Sequence, residues 1–289
     1  MTFEAYIMKF CPTLILLSLI FAPLMAADEH TLLPEGIDIA DTISNDAVLQ
    51  AINGEAGAPQ GQRVAYFADN AATSGYLAVP EGDGPFPAVL LIHEWNGLVE
   101  RIQQTADAFA AQGYVALAAD LYQGQTGSNR EENIALMQAA RGDEQAIIDN
   151  LDAAVNYLRT QTPAGASAKV ASIGWCFGGG IALSYAIGSD AHDGTAIFYG
   201  SLLDDLEQMA HIHHEVYGTF AAEDRGIPVE QVDAFVAALR GAGVDNDVHI
   251  YDHVQHGFWL HNERDPEHNQ PAAIHAWNRL KAYLKKTLN

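Results

Sequence analysis

Short apolar runs in this sequence alternate with longer segments in which apolar residues recur every three to four positions. Residues 88–92 and 114–118 are runs of the first kind, typical of strands, whereas residues 102–111 and 131–159 have helical periodicity. Further strands are expected at residues 170–173, 195–199, 215–220 and 247–251, and further helices at 181–187, 229–239 and 272–284. This alternation predicts an α/β fold with a mostly parallel central sheet and helices on both faces.

Two β-rich runs precede the alternating region, at residues 63–67 and 74–79. The pair Asp69-Asn70, which favours a turn, lies between them. We expect a hairpin at one edge of the sheet.

The first 27 residues have the pattern of a secretory signal peptide. Lys9 precedes an uncharged, apolar stretch that ends at Ala27, directly before Asp28. We expect cleavage there, which predicts an exported protein, periplasmic or extracellular, with no membrane attachment. A retained N-terminal anchor is the alternative, because the stretch approaches the length that spans a bilayer. Residues 28–62 are predicted to be an arm and linker, and residues 63–289 a single domain.

The charge balance narrows the choice of partners. Lys and Arg total 14 against 37 Asp and Glu, for a formal net charge of -23. Phosphate backbones and anionic lipid surfaces would repel such a chain, so nucleic acid is excluded as an expected partner. Of the two cysteines, Cys11 would leave with the signal peptide and Cys176 would remain, so no internal disulfide is expected.

Cys176 lies in a segment that combines a strand, a sharp turn and a helix. It is flanked by Gly174 and Gly178, in the G-x-nucleophile-x-G pattern of a nucleophile elbow. Glycines suit this turn because backbone lies against backbone there, which leaves no room for a Cβ. The alternative is a buried, inert cysteine at the start of a helix.

Two distant residues follow Cys176 in the chain order nucleophile, acid, base that elbow hydrolases use. Asp224 comes directly after one predicted strand, and His256 follows the last one. Both therefore belong to the carboxyl edge of the sheet, where open α/β sheets bind ligands. Glu223 is the alternative acid, but adjacent side chains of an extended segment point in opposite directions, which favours Asp224.

With these motifs the chain resembles the dienelactone hydrolase family, over about residues 63–284. The segments that carry the resemblance are LIHEWNG at 91–97, GYVALAADLY at 113–122, GWCFGG at 174–179, FYG at 198–200, GTFAAED at 218–224 and YDHVQHGF at 251–258. The resemblance implies an α/β-hydrolase fold, with residues 63–289 as the catalytic domain. It also implies hydrolysis of a small ester or lactone without a cofactor.

The family pattern assigns roles to four side chains. Cys176 would be the nucleophile, His256 the general base and later acid, Asp224 its orienting partner, and Glu94 a carboxylate near the thiol that helps form the thiolate. The backbone N–H groups of two further residues would form the oxyanion hole, those of Phe177 and Trp95. Four aromatic side chains beside these positions are candidates for the substrate pocket: Trp175, Phe258, Trp259 and Tyr122.

The sequence departs from the family pattern where substrate is recognised. Members that act on dienelactone hold its carboxylate with an arginine shortly after the catalytic histidine, whereas this chain has Trp259-Leu260 there and Gly257 in place of a serine. Three arginines could compensate, Arg264, Arg130 and Arg141. The alternatives to a lactone hydrolase are a broad carboxylesterase or thioesterase, and a non-catalytic, ligand-binding hydrolase fold. We expect a monomer or a small homo-oligomer.

A cluster of histidines raises the question of a metal. His211, His213 and His214 lie close together, but the spacing H-E-x-x-H of helical zinc sites is absent. We therefore interpret the cluster as a solvated loop and expect no metal site.

Overall fold

The computed structural model describes residue 33 and residues 36–289. The predicted signal peptide, residues 1–27, lies outside this part of the chain. The described strands form one sheet in the order β1-β2-β4-β3-β5-β6-β7-β8. They are β1 (Gln62–Val64), β2 (Gly75–Ala78), β3 (Ala88–Ile92), β4 (Val115–Ala118), β5 (Val170–Trp175), β6 (Gly194–Phe198), β7 (Val216–Ala221) and β8 (Asn246–Tyr251).

The sheet is parallel from β4 to β8, as the alternating pattern predicts. The expected edge hairpin is also present, because β1 pairs antiparallel with β2, and β2 in turn pairs antiparallel with β4. Every residue of β3, β5, β6 and β7 is buried, which explains why these strands are apolar runs rather than alternating ones.

Helices cover both faces of this sheet. The helices of the described part are α1 (Ile39–Ser44), α2 (Ala47–Asn53), α3 (Glu100–Ala111), α4 (Arg130–Arg141), α5 (Glu144–Gln161), α6 (Phe177–Gly188), α7 (Leu206–Met209), α8 (Val229–Gly241) and α9 (Pro266–Leu288). Successive side chains of β3 point to opposite faces of the sheet and so belong to two separate cores. Val89 and Leu91 pack with α1, α2, α3 and α9, whereas Leu90 and Ile92 pack with α5 and α6. None of the helices within residues 36–289 combines the length and apolar character needed to cross a membrane.

The segment expected to be an arm and linker contributes two of these helices to the core. Asp46 caps α2 by accepting hydrogen bonds from the backbone N–H groups of Val48 and Leu49. The apolar side of α2 is fully buried against α3 and α9, and the indole Nε1–H of Trp277 in α9 donates to Asp46 Oδ2 over 2.8 Å. Residues 39–53 are therefore part of the folded domain.

Arg101 of α3 connects this segment to the far end of the chain. Its guanidinium donates to the carbonyl oxygens of Ala51 and Ile52 in α2 and to that of Leu260. It also pairs with Glu263, at 3.3 Å. The turn that follows β8 is thus held against α2 and α3.

Candidate active site

Cys176 lies at the tight turn between β5 and α6, as the elbow motif predicts. Its backbone adopts φ 55° and ψ -114°, a conformation that L side chains rarely adopt and that marks functional positions. The flanking glycines are required by close packing: a Cβ at Gly174 would lie 2.0 Å from the carbonyl oxygen of Gly178, and a Cβ at Gly178 would lie 2.2 Å from that of Ile92. Cys176 is the free thiol of the described residues and is partly accessible.

His256 and Asp224 are brought together beside this turn. Asp224 Oδ2 lies 2.6 Å from His256 Nδ1, and Asp224 Oδ1 accepts hydrogen bonds from the N–H groups of Gly226 and Ile227. The carboxylate is almost fully buried, whereas 41% of the His256 side chain is exposed. Glu223 points away and faces the exposed His253 at 3.9 Å. The structure therefore selects Asp224 over Glu223 as the partner of His256.

The electrostatics of this pair favour a protonated imidazole. Burial by itself lowers the pKa of His256, but hydrogen bonding to Asp224 and the neighbouring Cys176 side chain together raise it to about 10. Burial likewise opposes ionisation of Asp224, yet the bond to His256 leaves the pKa of this carboxyl below its usual value. Cys176 is thus close enough to His256 to act on its protonation.

Glu94 lies in the loop after β3 and is buried, with 7% of its surface exposed. Its Oε2 accepts a hydrogen bond from His261 Nε2 over 2.8 Å. Sequence reasoning did not single out His261. The residue stands five positions after His256 in an irregular turn, and no motif marks that spacing.

The backbone of the Glu94 loop is held by the buried His93. His93 Nδ1 lies 2.6 Å from the carbonyl oxygen of Glu94, and its Nε2 accepts a hydrogen bond from the N–H of Leu121. Burial lowers the pKa of His93, which favours this neutral tautomer with Nδ1 as the donor.

The two N–H groups predicted for an oxyanion hole have no acceptor among the residues that the structure describes. Phe177 is the first residue of α6, so its N–H has no acceptor within the helix. The N–H of Trp95 bonds to no atom of the described residues. The carbonyl of Trp95 accepts a 3.1 Å hydrogen bond from the Tyr122 hydroxyl, which holds this loop in place.

The aromatic residues predicted for the substrate pocket divide into two groups. Phe258 lines a cavity of about 400 Å³ beside His256, and Tyr122 lies under the oxyanion loop, with burial first and the nearby Cys176 second raising its pKa. The prediction for Trp175 and Trp259 is corrected by the structure. Both rings are fully buried, and they stack on each other at 5.7 Å in the core below the site.

Two of the three candidate arginines lie near the site. Arg264 lines the same cavity as His256, and a Cβ at Gly257 would lie in ordinary contact with its guanidinium, at 3.7 Å. Arg141 lies over the ring of Phe177, at 5.4 Å from its centroid, whereas Arg130 is an exposed residue at the start of α4. Neither Arg264 nor Arg141 forms an ion pair within residues 36–289.

The histidine cluster lies at the opposite, amino-terminal edge of the sheet. His214 is half-buried, and its Nε2 shares the hydroxyl of Thr195 with His192. His213 is exposed and faces Asp190 at 3.8 Å. Among the residues that the structure describes, no group of three or more His, Cys, Asp or Glu side chains is arranged to hold a metal ion.

A parallel sheet with an elbow cysteine and an imidazole–carboxylate pair at its carboxyl edge defines an α/β-hydrolase. The sequence profile of the dienelactone hydrolase family matches residues 73–288. The chain belongs to the dienelactone hydrolase family.

Individual relatives and solved structures are similar to this chain, in accord with its membership of the dienelactone hydrolase family. Protein usf of Aquifex pyrophilus is 30% identical over 239 residues, which are 79% of this chain and 99% of that protein. The dienelactone hydrolase-like promiscuous phosphotriesterase P91 from metagenomic libraries is 26% identical, with a TM-score of 0.69 over 81% of this chain and 100% of its own. A thermophilic esterase of Thermogutta terrifontis, at 16% identity and a TM-score of 0.56 over 77% of this chain and 95% of its own, shares the fold.

Proposed function

We propose that this hydrolase cleaves small carboxylic esters or lactones with Cys176 as its nucleophile. The observation that carries the proposal is the arrangement of Cys176 on the elbow next to an imidazole that is hydrogen-bonded to the buried Asp224. Membership of the dienelactone hydrolase family supports the same class of substrate.

In the proposed reaction the thiol proton has passed to His256, whose imidazolium form is favoured, and the sulfur attacks the carbonyl carbon of the ester. The resulting oxyanion accepts hydrogen bonds from the free N–H groups of Phe177 and Trp95. When the C–O bond breaks, His256 returns the proton to the leaving alcohol and a thioester remains on Cys176. His256 then removes a proton from water, and the water oxygen attacks the thioester. The C–S bond breaks, the acid is released, and the sulfur and the imidazolium of the starting state are restored.

A raised pKa suits His256 for these proton transfers. Although burial of the ring opposes protonation, Asp224 and Cys176 stabilise the imidazolium form. Asp224 is itself fixed by two backbone N–H groups, so the imidazole keeps one orientation through both halves of the cycle.

The test is hydrolysis of short-chain chromogenic esters and of an unsaturated lactone by the parent protein and by Cys176→Ala. We expect the variant to lose at least about a thousandfold in kcat/KM. A mass increase equal to the acyl group, found on the parent and absent from the variant, would support the thioester. Undiminished turnover by Cys176→Ala would contradict the proposal.

A phosphotriester is the second candidate substrate, because the relative P91 is described as a promiscuous phosphotriesterase. A thiol flanked by free N–H donors is also suited to attack at phosphorus. Comparing kcat/KM for a carboxylic ester, a thioester and a phosphotriester on one preparation would rank these activities and a broad esterase or thioesterase role. A non-catalytic, ligand-binding role predicts turnover of none of them.

We also propose that the protein acts outside the cytoplasm. Support comes from the sequence alone, in the apolar stretch of residues 10–27 after Lys9. Fractionation of cells that express the full chain, with mass analysis of the mature amino terminus, would test both export and the cleavage site.

A further inference from the structure

Two histidines on one short turn each hold a different buried carboxylate. His256 bonds to Asp224, and five residues later His261 bonds to Glu94. The backbone N–H of His261 donates to the carbonyl of Gly257 over 3.1 Å, so both imidazoles belong to the same turn after β8. Both side chains line the cavity of about 400 Å³ beside His256.

The bond from His261 occupies one oxygen of Glu94 and leaves the other free. Oε2 accepts from His261 Nε2, while Oε1 has no hydrogen-bond partner among the described residues. A buried carboxylate needs at least one strong donor, because an uncompensated charge is costly in a site shielded from water. Only 16% of the His261 side chain and 9% of the Glu94 side chain are exposed, so water supplies little of that compensation.

Other charged groups surround this pair. Glu263 faces His261 Nδ1 at 3.7 Å, and Arg264 lines the same cavity. On the side of Glu94, the charge of the carboxylate acts on the pKa values of the buried Tyr199 and His93. Burial first, and then Glu94 and Cys176, raise the pKa of Tyr199, which places the carboxylate and the thiol around the same ring.

We propose that His261 is a positioning residue, which holds Glu94 by one oxygen so that the other remains available to the thiol of Cys176. The inference rests on the proposed function and on the part in thiolate formation that the family pattern implies for Glu94. His261 has no role in bond breaking. It sets the orientation of Glu94, a side chain that the sequence identifies without its hydrogen-bond partner.

Reactivity of the thiol tests this without any substrate. The rate of alkylation by iodoacetamide is measured from pH 5 to pH 9 for the full-length protein and its variants, with the modification of Cys176 followed by peptide mass analysis so that Cys11 is counted separately. The decisive pair is His261→Gln and His261→Asn, because a glutamine amide reaches the position of Nε2 and an asparagine amide does not. Near pH 6 we expect His261→Asn to slow alkylation about tenfold, the effect of one hydrogen bond to a charged group, and His261→Gln to stay within about twofold.

Together with the parent and His261→Asn, the variants Glu94→Gln and Glu94→Gln/His261→Asn form a double-mutant cycle. If His261 acts through Glu94, the double variant is no slower than Glu94→Gln alone. His268→Asn is the matched control, since His268 is an exposed histidine that bonds to Asp265 nearby, and its profile should equal that of the parent. Equal thermal unfolding of the two His261 variants shows that the difference between them is not one of folding.

Three results would overturn the inference: identical profiles for His261→Asn and the parent, equal loss in both His261 variants, or additive losses in the cycle. Failure of the proposed function looks different. In that case Cys176 would still show the His261-dependent profile, while no ester or lactone would be turned over.

Discussion

The hydroxyl of Tyr122 donates a 3.1 Å hydrogen bond to the carbonyl of Trp95, and this bond links the loop after β4 to the loop after β3. Since the N–H of Trp95 is one of the two donors proposed for the oxyanion, Tyr122 supports the site from below. The neighbouring backbone bond from Gly127 N–H to the carbonyl of Asn96 ties the same two loops together.

Tyr122→Phe should therefore weaken stabilisation of the oxyanion without removing substrate contacts. We expect kcat to fall about tenfold, with KM within about twofold of the parent. Steady-state kinetics on one ester checks this. Tyr114→Phe is the control, because the Tyr114 hydroxyl bonds to none of the described residues. A change confined to KM would contradict the role given to Tyr122.

Asp224→Asn should change both the protonation and the activity of His256. The parent imidazole has a pKa of about 10: burial lowers it, and Asp224 and Cys176 more than offset that effect. Without the carboxylate the pKa should fall toward the ordinary value of about 6.5, and kcat should fall about a thousandfold or more. An NMR titration of His256 and steady-state kinetics measure the two effects.

Glu223→Gln provides the comparison for Asp224→Asn, since Glu223 is the adjacent carboxylate and is exposed. Its titration and kinetics should match those of the parent. A pKa of His256 that stays near 10 in Asp224→Asn would show that Asp224 does not set the protonation of this imidazole.

Arg264 should favour substrates that carry a carboxylate. Its guanidinium lines the cavity of His256 and forms no ion pair within the described chain, so it is available to an anionic group of the substrate. Arg264→Ala should raise KM about tenfold for an ester with a free terminal carboxylate and leave the matching neutral ester within about twofold.

The exposed Arg130 is the control for that comparison, and Arg130→Ala should leave both esters unchanged. Equal losses on the charged and the neutral ester in Arg264→Ala would mean that Arg264 maintains the turn rather than recognises charge.

His214 and His192 should make the fold sensitive to acid. Burial lowers the pKa of His214 to about 4 and that of His192 well below its usual value, with neighbouring cationic groups adding to the shift of His192. Below pH 6.5 these two histidines are protonated in the unfolded chain but stay neutral in the folded protein. The free energy of unfolding therefore falls as the pH drops from about 6.5 toward 4. Between pH 7 and pH 5 the loss from His214 alone should be about 2 kcal/mol, and His192 adds to it.

Urea unfolding at these two pH values measures that loss. His214→Gln keeps a polar group near Thr195 but cannot be protonated, so its loss of stability should be smaller than that of the parent. His253→Gln, at an exposed histidine, should behave like the parent. An unchanged pH dependence in His214→Gln would exclude this histidine as a source of acid sensitivity.

The fold and the central part of the site could be predicted from the sequence because their signals are local. Apolar runs indicate the buried parallel strands. The glycines on either side of Cys176 indicate a tight turn that leaves no room for a Cβ at those two flanking positions. The order of Cys176, Asp224 and His256 then follows from the places where strands end.

What could not be predicted depends on packing between distant segments. The bond between Glu94 and His261 joins residues 167 positions apart, and no periodicity records it. Trp175 was misplaced because nearness to Cys176 in sequence is a poor guide to orientation, since successive residues of a strand face opposite sides of the sheet. The position of α2 in the core could not be predicted from its own residues, because its apolar side is buried by the distant α3 and α9.

The bonds of Arg101 to α2 and to the turn after His256 determine how far this protein can be shortened at its amino terminus. The matched family profile begins at residue 73, whereas α1, α2 and β1 lie before that point. A protein shortened to the shared portion would lose a sheet edge, leave part of α3 and α9 bare, and release the anchor of the loop that carries His256. The amino-terminal helices of this protein are thus part of what keeps its active-site turn in place.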